Sequence, residues 1–215
     1  EMCIRDRLSL NPGYGETPVD GDELGAIEPS VLESFGGIPT KKAIHYLEQG
    51  TLAATRARFL SEINRHQLHL EDILTTSFLV ELHRNLFSGI WSWAGAFRQT
   101  GLNIGVDPHL ISTELHASFG NLLYQWRETK WLATRELGIA THAELVRIHP
   151  FVDGNGRVTR LMADLVFAAV QPQPHAFEYD WNVDKSLYIQ LLRDYDLHRD
   201  PRPLASIITT FELEK

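Results

Sequence analysis

His149-Pro150-Phe151-Val152-Asp153-Gly154-Asn155-Gly156-Arg157-Val158-Thr159-Arg160 decides how this chain of 215 residues is read. The stretch holds an imidazole, a carboxylate, a glycine-rich turn and two guanidinium groups. Before it, residues 141–148 read as the last stretch of a helix, and Thr141 followed by Glu144 predicts a capping box at Thr141. Pro150 pushes His149 out of the helical region, so that helix ends near Ile148. After it, Val158, Leu161, Met162, Leu165, Val166 and Ala169 recur at three- and four-residue spacing. Pro172 and Pro174 then stop the second helix. The stretch is therefore a loop between two helices, with Gly154, Asn155 and Gly156 opening the second.

That placement carries chemistry. A helix N-terminus offers backbone N–H groups and a favourable dipole to an anion. Glycines allow a close main-chain approach and a concave nest of N–H groups. Arg157 and Arg160 lie three apart, so they leave the first turn on neighbouring faces, and their planar forks suit phosphate oxygens. Asp153 is a candidate for one oxygen ligand of Mg²⁺, with phosphates and waters completing the shell. His149 is a candidate general base. Phe151 and Val152 are read as anchors of the loop. Singly, each residue has a plain structural role: Asn155 as an N-cap, Asp153-Gly154 as a turn, the arginines as a solvated face. Jointly they converge on one ligand, a metal-bound polyphosphate.

The stretch resembles the signature loop of Fic-domain proteins, His-Pro-Phe-x-Asp/Glu-Gly-Asn-Gly-Arg-x-x-Arg, at every specified position. The resemblance implies a mainly α fold, a Fic-type helical bundle with a short β-hairpin flap near the active-site loop. It implies AMPylation, the transfer of AMP from ATP to a protein hydroxyl. On that footing His149 takes the proton of the target hydroxyl and Asp153 holds Mg²⁺ between the α- and β-phosphates. Gly154, Asn155 and Gly156 form the anion hole, Arg157 binds the β- and γ-phosphates, and Arg160 binds the γ-phosphate. The related Doc-type kinases carry lysine where this chain has Gly156, so the resemblance is to the nucleotidyl-transferring branch. Other phosphate transfer, removal of AMP, and a silent nucleotide-binding toxin–antitoxin module stay open as alternatives.

Upstream, Trp91-Ser92-Trp93-Ala94-Gly95-Ala96-Phe97-Arg98 and Asn103-Ile104-Gly105 resemble the Fic segment that enters the flap. Residues 97–105 centre on Gly101 with mixed flanks, which suits a short hairpin or an extended loop. Phe97, Arg98, Gln99, Thr100, Gly101, Leu102 and Asn103 are the candidates for aligning a target segment by strand-like pairing. The two tryptophans are read as core. The order of Glu16-Thr17-Pro18, Glu48-Gln49, residues 91–95, residues 103–107 and residues 160–164 is similar to the Fic subgroup called mobile mystery protein B. That similarity implies a small antitoxin-like or helix-turn-helix partner.

Many Fic proteins block themselves with a helix whose glutamate pairs with the second motif arginine. Glu48 is the candidate here, with Arg160 as its expected partner, and Glu214 is a rival. Tyr188 lies where Fic proteins place an adenine-pocket side chain, although a core tyrosine is the plainer reading.

The rest of the chain frames these residues. Apolar residues make up 43% and charged residues 22%, the balance of a globular protein. The net charge of −8 argues against a nucleic-acid surface. No apolar run reaches membrane-spanning length, and the single Cys3 excludes an internal disulfide framework. A cytoplasmic location, with ATP as co-substrate and an unidentified protein target, is expected. Ten histidines give no metal-binding spacing. Helices are expected across residues 40–70, 78–87, 107–126, 187–195 and 204–211. Three regions follow: residues 1–13 as an arm whose start resembles translated adapter sequence, residues 14–70 as an N-terminal helical extension with an inhibitory candidate, and residues 71–215 as the catalytic core.

Overall fold

The computed structural model describes residues 21–172 and 176–213. The readings placed on residues 1–13, Glu16-Thr17-Pro18, Pro174 and Glu214 lie outside the described residues. Within them the chain is mainly helical. Two short helices, α1 (Gly21–Leu24) and α2 (Pro29–Phe35), precede the long α3 (Lys41–Asn64). Next come α4 (Leu70–Ile73) and α5 (Thr76–Phe87), then a loop running to a 3₁₀ turn at Pro108–Leu110. The 3₁₀ turn leads into α6 (Ile111–Tyr124), and a π turn (Gln125–Thr129) follows it. Then α7 (Thr134–Ile148) and α8 (Asn155–Val170) flank the signature loop. Strand β1 (Phe177–Tyr179), α9 (Lys185–His198), α10 (Arg202–Ile207) and strand β2 (Thr210–Glu212) complete the order.

Local chemistry accounts for the boundaries. Side chains of Thr40, Thr75 and Asp184 accept from Ala43, Phe78 and Leu187 N–H groups and start α3, α5 and α9. Asp107 caps the turn at Pro108 as its sequence predicts, accepting from His109 N–H. The capping box predicted at Thr141 is not there, because α7 begins a full two turns earlier. Glu136 instead accepts from Ala133 N–H at 2.8 Å, while the Thr141 hydroxyl donates to the Leu137 carbonyl inside the helix.

The hairpin of α7 and α8 is the centre of the molecule. Leu137, Ile139, Leu145 and Ile148 of α7, and Val158, Met162, Leu165 and Val166 of α8, are fully buried. Burial of a Leu-sized side chain contributes about 1.5–3 kcal/mol, so this hairpin supplies a large part of the hydrophobic stabilisation. Gly138 marks where α7 meets its neighbours most closely: a Cβ there would lie 2.7 Å from the Ala163 carbonyl. Around the hairpin, α3, α4, α5 and α6 share one apolar cluster that includes Ile44, Phe59, Leu79, Leu82 and Leu115. A smaller cluster joins α7 and α8 to β1, α9 and α10 through Phe167, Tyr179, Tyr195 and Leu204.

Glu144 ties three helices from inside. Its carboxylate accepts from Ser118 of α6, Tyr195 of α9 and Arg147 of α7 at 2.8–3.0 Å. Burial raises its pKa, but Arg147 and the two hydroxyls outweigh that and hold it below the ordinary carboxylate value.

The two-stranded antiparallel pair is β1 with β2, Glu178 opposite Phe211. The flap segment takes the extended-loop form, with a single bridge between Phe97 and Phe151.

Candidate functional site

Residues 149–154 join α7 to α8 as the sequence predicts. His149 ends α7 in the left-handed conformation (φ 51°), and its N–H donates to the Leu145 carbonyl. That conformation aims the chain away from the helix. The imidazole is buried, and a ring nitrogen is hydrogen-bonded to the Val146 carbonyl. Desolvation, helped by the charge of Arg98, lowers its pKa to about 4. The ring is therefore neutral at pH 7, as a general base must be.

Asn155 has a task other than a cap. Its Oδ1 accepts from Phe151 N–H at 3.0 Å, and its Nδ2 donates to the Phe151 carbonyl at 2.7 Å. The side chain thus pins the loop, while its main-chain N–H is available to an anion. Gly154 takes the N-cap position with φ 74°. A Cβ on Gly154 would stand 2.4 Å from the Phe87 ring, so only glycine fits. The N–H groups of Asn155, Gly156 and Arg157 precede the first intrahelical bond, from Val158 N–H to the Gly154 carbonyl at 3.0 Å. Asp153 is exposed beside them, its carboxylate accepting from Gly154 N–H at 2.7 Å.

The two motif arginines diverge. Arg157 turns toward α3 and α5. Its Nη1 lies 2.6 Å from the Glu48 carboxylate, and its guanidinium sits 4.6 Å from the centre of the Phe87 ring. The second Glu48 oxygen accepts from the Trp91 indole N–H at 2.8 Å. The expected pair of Glu48 with Arg160 is therefore corrected: the partner is Arg157. One residue of α8 points at the Glu48 side of α3, and the residue three further on points elsewhere. The charge of Arg160 acts on His142 of α7 and on Asp164.

Tyr188 of α9 is half-buried, with its hydroxyl 2.6 Å from His142 Nε2. His142 is completely buried and its pKa is lowered to about 3, by desolvation first and by Arg160 second. Tyr188 thus stands beside the α7 face that Arg160 also influences.

Of the flap residues, Gln99, Thr100, Gly101 and Asn103 are exposed and Phe97 and Leu102 half-buried. Arg98 does not face out with them: it is 1% exposed, its guanidinium folded under the flap.

One contributor carries no motif signal, and another, Trp91, does more than its motif suggests. His83 of α5 stacks flat on Phe151, ring centroids 3.6 Å apart. Its Nδ1 accepts from Gly95 N–H at 2.8 Å, which leaves Nε2 protonated to donate to the Asp153 carbonyl at 3.1 Å. Burial lowers its pKa to about 3, so this tautomer stays neutral. Trp91 is core, as read, and also holds Glu48. The signal for His83 was its position: it interrupts the apolar stripe of Leu79, Leu82 and Leu86, where a buried polar ring needs partners.

No group of three or more His, Cys, Asp or Glu side chains that could hold a metal occurs among the described residues. A single carboxylate such as that of Asp153 is compatible with Mg²⁺, which is commonly held by one or two carboxylates together with substrate phosphates and water.

The class is a helical hairpin whose connecting loop carries an imidazole at its start and a carboxylate at its end, and leads into an arginine-flanked helix N-terminus. Residues 73–167 match the Fic/DOC family, and the chain carries a Fic domain. It is 23% identical over 201 residues to the protein adenylyltransferase Fic of Nematostella vectensis, covering 91% of this chain and 45% of that one. To the protein adenylyltransferase fic-1 of Caenorhabditis briggsae it is 30% identical over 162 residues, covering 71% of this chain and 30% of that one. The chain thus spans less than half the length of these curated relatives.

Among solved structures, the fold is similar to the N-terminal Fic domain of a VirB-translocated Bep effector from Bartonella quintana. The TM-score is 0.58 at 18% identity, over 80% of this chain and 83% of that one. A VirB-translocated effector from Bartonella tribocorum with bound AMPPNP gives 0.57 at 18% identity, over 83% of this chain and 91% of that one.

Proposed function

We propose that this chain transfers AMP from Mg-ATP to a Ser, Thr or Tyr hydroxyl of a target protein. The observation that carries the proposal is a neutral, buried His149 in the loop that leads straight into the N–H groups opening α8. The relatives' name, protein adenylyltransferase, and the AMPPNP bound in a similar fold support it. In the reaction the target oxygen attacks the α-phosphorus in line. Its proton passes to His149, the bond from the α-phosphorus to the α,β-bridging oxygen breaks, and pyrophosphate leaves. The α8 N-terminus and Arg157 oppose the negative charge that develops. Asp153 would hold Mg²⁺, which when bound neutralises phosphate charge. Arg160 would reach the γ-phosphate, and Tyr188 is the candidate wall of the adenine pocket. The exposed Gln99, Thr100, Gly101 and Asn103 would align the target.

Glu48 would restrain the site by occupying Arg157. Residues 14–70 would then be an inhibitory extension, although Ile44 and Phe59 of α3 are packed into the same core as the catalytic helices. A small antitoxin-like or helix-turn-helix partner and a cytoplasmic location belong to the same proposal. No helix among the described residues is long and apolar enough to cross a membrane.

The test is incubation with Mg²⁺ and ATP labelled at the α- or γ-phosphate, with wild type and with His149→Ala. Transfer of α label that is lost in His149→Ala supports AMP transfer. Transfer of γ label alone refutes it in favour of phosphorylation, and no transfer to any offered protein favours the silent module.

A further inference from the structure

Arg98 leaves the backbone where the flap begins and turns inward. Its Nε donates to the His149 carbonyl at 2.7 Å, and one Nη2 hydrogen bond reaches the Ile148 carbonyl at 3.4 Å. On the flap side Nη1 donates to the Thr100 carbonyl at 3.0 Å, and Nη2 donates to the Val106 carbonyl. The main chain reinforces the same joint. Arg98 N–H donates to the Pro150 carbonyl, and Val106 N–H to the Ile148 carbonyl. Gly105 gives the room: with φ 94°, a Cβ there would lie 2.7 Å from Arg98 Nη2 and 2.8 Å from the His149 Cβ.

All four side-chain acceptors are neutral carbonyls, so among the described residues this guanidinium has no hydrogen-bonded carboxylate partner. Two of them, Ile148 and His149, terminate α7, where the negative end of the helix dipole favours a cation. That same dipole end would also favour a protonated His149.

We infer that Arg98 is a positioning residue for the proposed transfer, holding the flap and His149 in one fixed relation and setting a positive charge against the base. The inference rests on the proposed AMP transfer for its consequence, but its geometry does not. Among the described residues, the other charges on the elements around the loop are engaged elsewhere. Asp107, behind the flap, acts on Arg98 rather than on His149, and on α5 His83 is neutral. On α8 Arg157 is matched by Glu48, and on α7 Arg147 is matched by Glu144 and Glu114. Asp153 sits at the far end of the loop.

The experiment compares wild type, Arg98→Met and Arg98→Lys by titrating the ¹³C-labelled His149 ring in NMR, with amide exchange of residues 97–106 in parallel. In Arg98→Met the His149 midpoint should rise above that of wild type, while burial keeps it below the ordinary histidine value. Flap amides should exchange on the order of 10-fold faster. Arg98→Lys should keep the low midpoint, since the charge stays, yet lose flap protection, since the fork is gone. A His149 midpoint that does not move in Arg98→Met, or flap exchange equal to wild type, overturns the inference. If Arg98→Met does not fold, Arg98→Lys decides it: wild-type flap exchange in Arg98→Lys overturns the inference, and faster exchange with an unmoved midpoint upholds it. With α-labelled ATP, Arg98→Met should lower kcat on the order of 100-fold while KM for ATP changes by less than about 3-fold. Should wild type transfer no AMP at all, the proposed activity fails while titration and exchange still decide the role of Arg98.

Discussion

Glu48→Gln should move two measurements in opposite directions. The Glu48–Arg157 pair is 2.6 Å long, with side chains 9% and 13% exposed. Removing one partner of a buried pair costs about 3–5 kcal/mol. Glutamine retains an acceptor for Trp91, and Arg157 retains the Phe87 ring, so the expected loss is smaller, about 2–3 kcal/mol. For a domain of this size that lowers Tm by roughly 5–10 °C. Nucleotide binding should strengthen, because the phosphates no longer compete with a carboxylate for Arg157. If releasing that contact costs wild type about 2 kcal/mol, ATP affinity should rise about 30-fold. Calorimetric titration with Mg-ATP and thermal melts of the ligand-free protein read both effects. Glu48→Gly, which also removes the Trp91 acceptor, should raise AMP transfer or self-labelling. A Glu48→Gln protein that melts lower yet binds ATP no more tightly than wild type would refute the reasoning, leaving Glu48 as a packing residue.

Other outcomes follow from the same contacts. Gly154→Ala places a Cβ 2.4 Å from the Phe87 ring at φ 74°, and should cost about 2–4 kcal/mol in urea melts; a loss under about 0.5 kcal/mol would show that the loop has slack. His83 and His142 have folded pKa values of about 3 against an ordinary 6.5. The unfolded chain therefore binds more protons, and stability should fall below about pH 6.5 by ~1.4 kcal/mol per pH unit for each ring; flat urea-melt stability between pH 7 and 5 would contradict this. Asp164 works the other way, its pKa raised to about 7 chiefly by burial. Its contribution is present at low pH and lost as pH rises from about 4 to 7, so Asp164→Asn should steepen the acid-side decline by ~1.4 kcal/mol per pH unit. An unchanged slope in that variant would locate Asp164 in a wetter place.

The loop between α7 and α8 was legible because Pro150 and the glycines dictate backbone shape by themselves, with no help from distant residues. The α8 face was legible because its apolar spacing is strict. The start of α7 was not. Thr141 looks like a cap in any linear reading, and only packing reveals that α7 is buried on every side and continues two turns upstream. The partner of Glu48 was equally hidden, since the choice between Arg157 and Arg160 depends on the angle at which α3 crosses α8. Arg98 read as a docking residue because a charged side chain in a loop is usually solvated; its burial depends on four carbonyls brought from two separate segments. His83 belonged to a stripe that spells helix, and the stripe said nothing of the loop its ring would touch.

Among the described residues, the Arg98 clamp grips main-chain oxygens and no side chain. Carbonyls are the same whatever residue bears them, so positions 99–103 can change identity without loosening the joint. On the proposed function, the flap could change to suit new targets while its edge stays tied to His149 through main-chain oxygens. If the proposed function holds, recognition and chemistry are separable in this architecture, and a designer could rewrite the first without rebuilding the second.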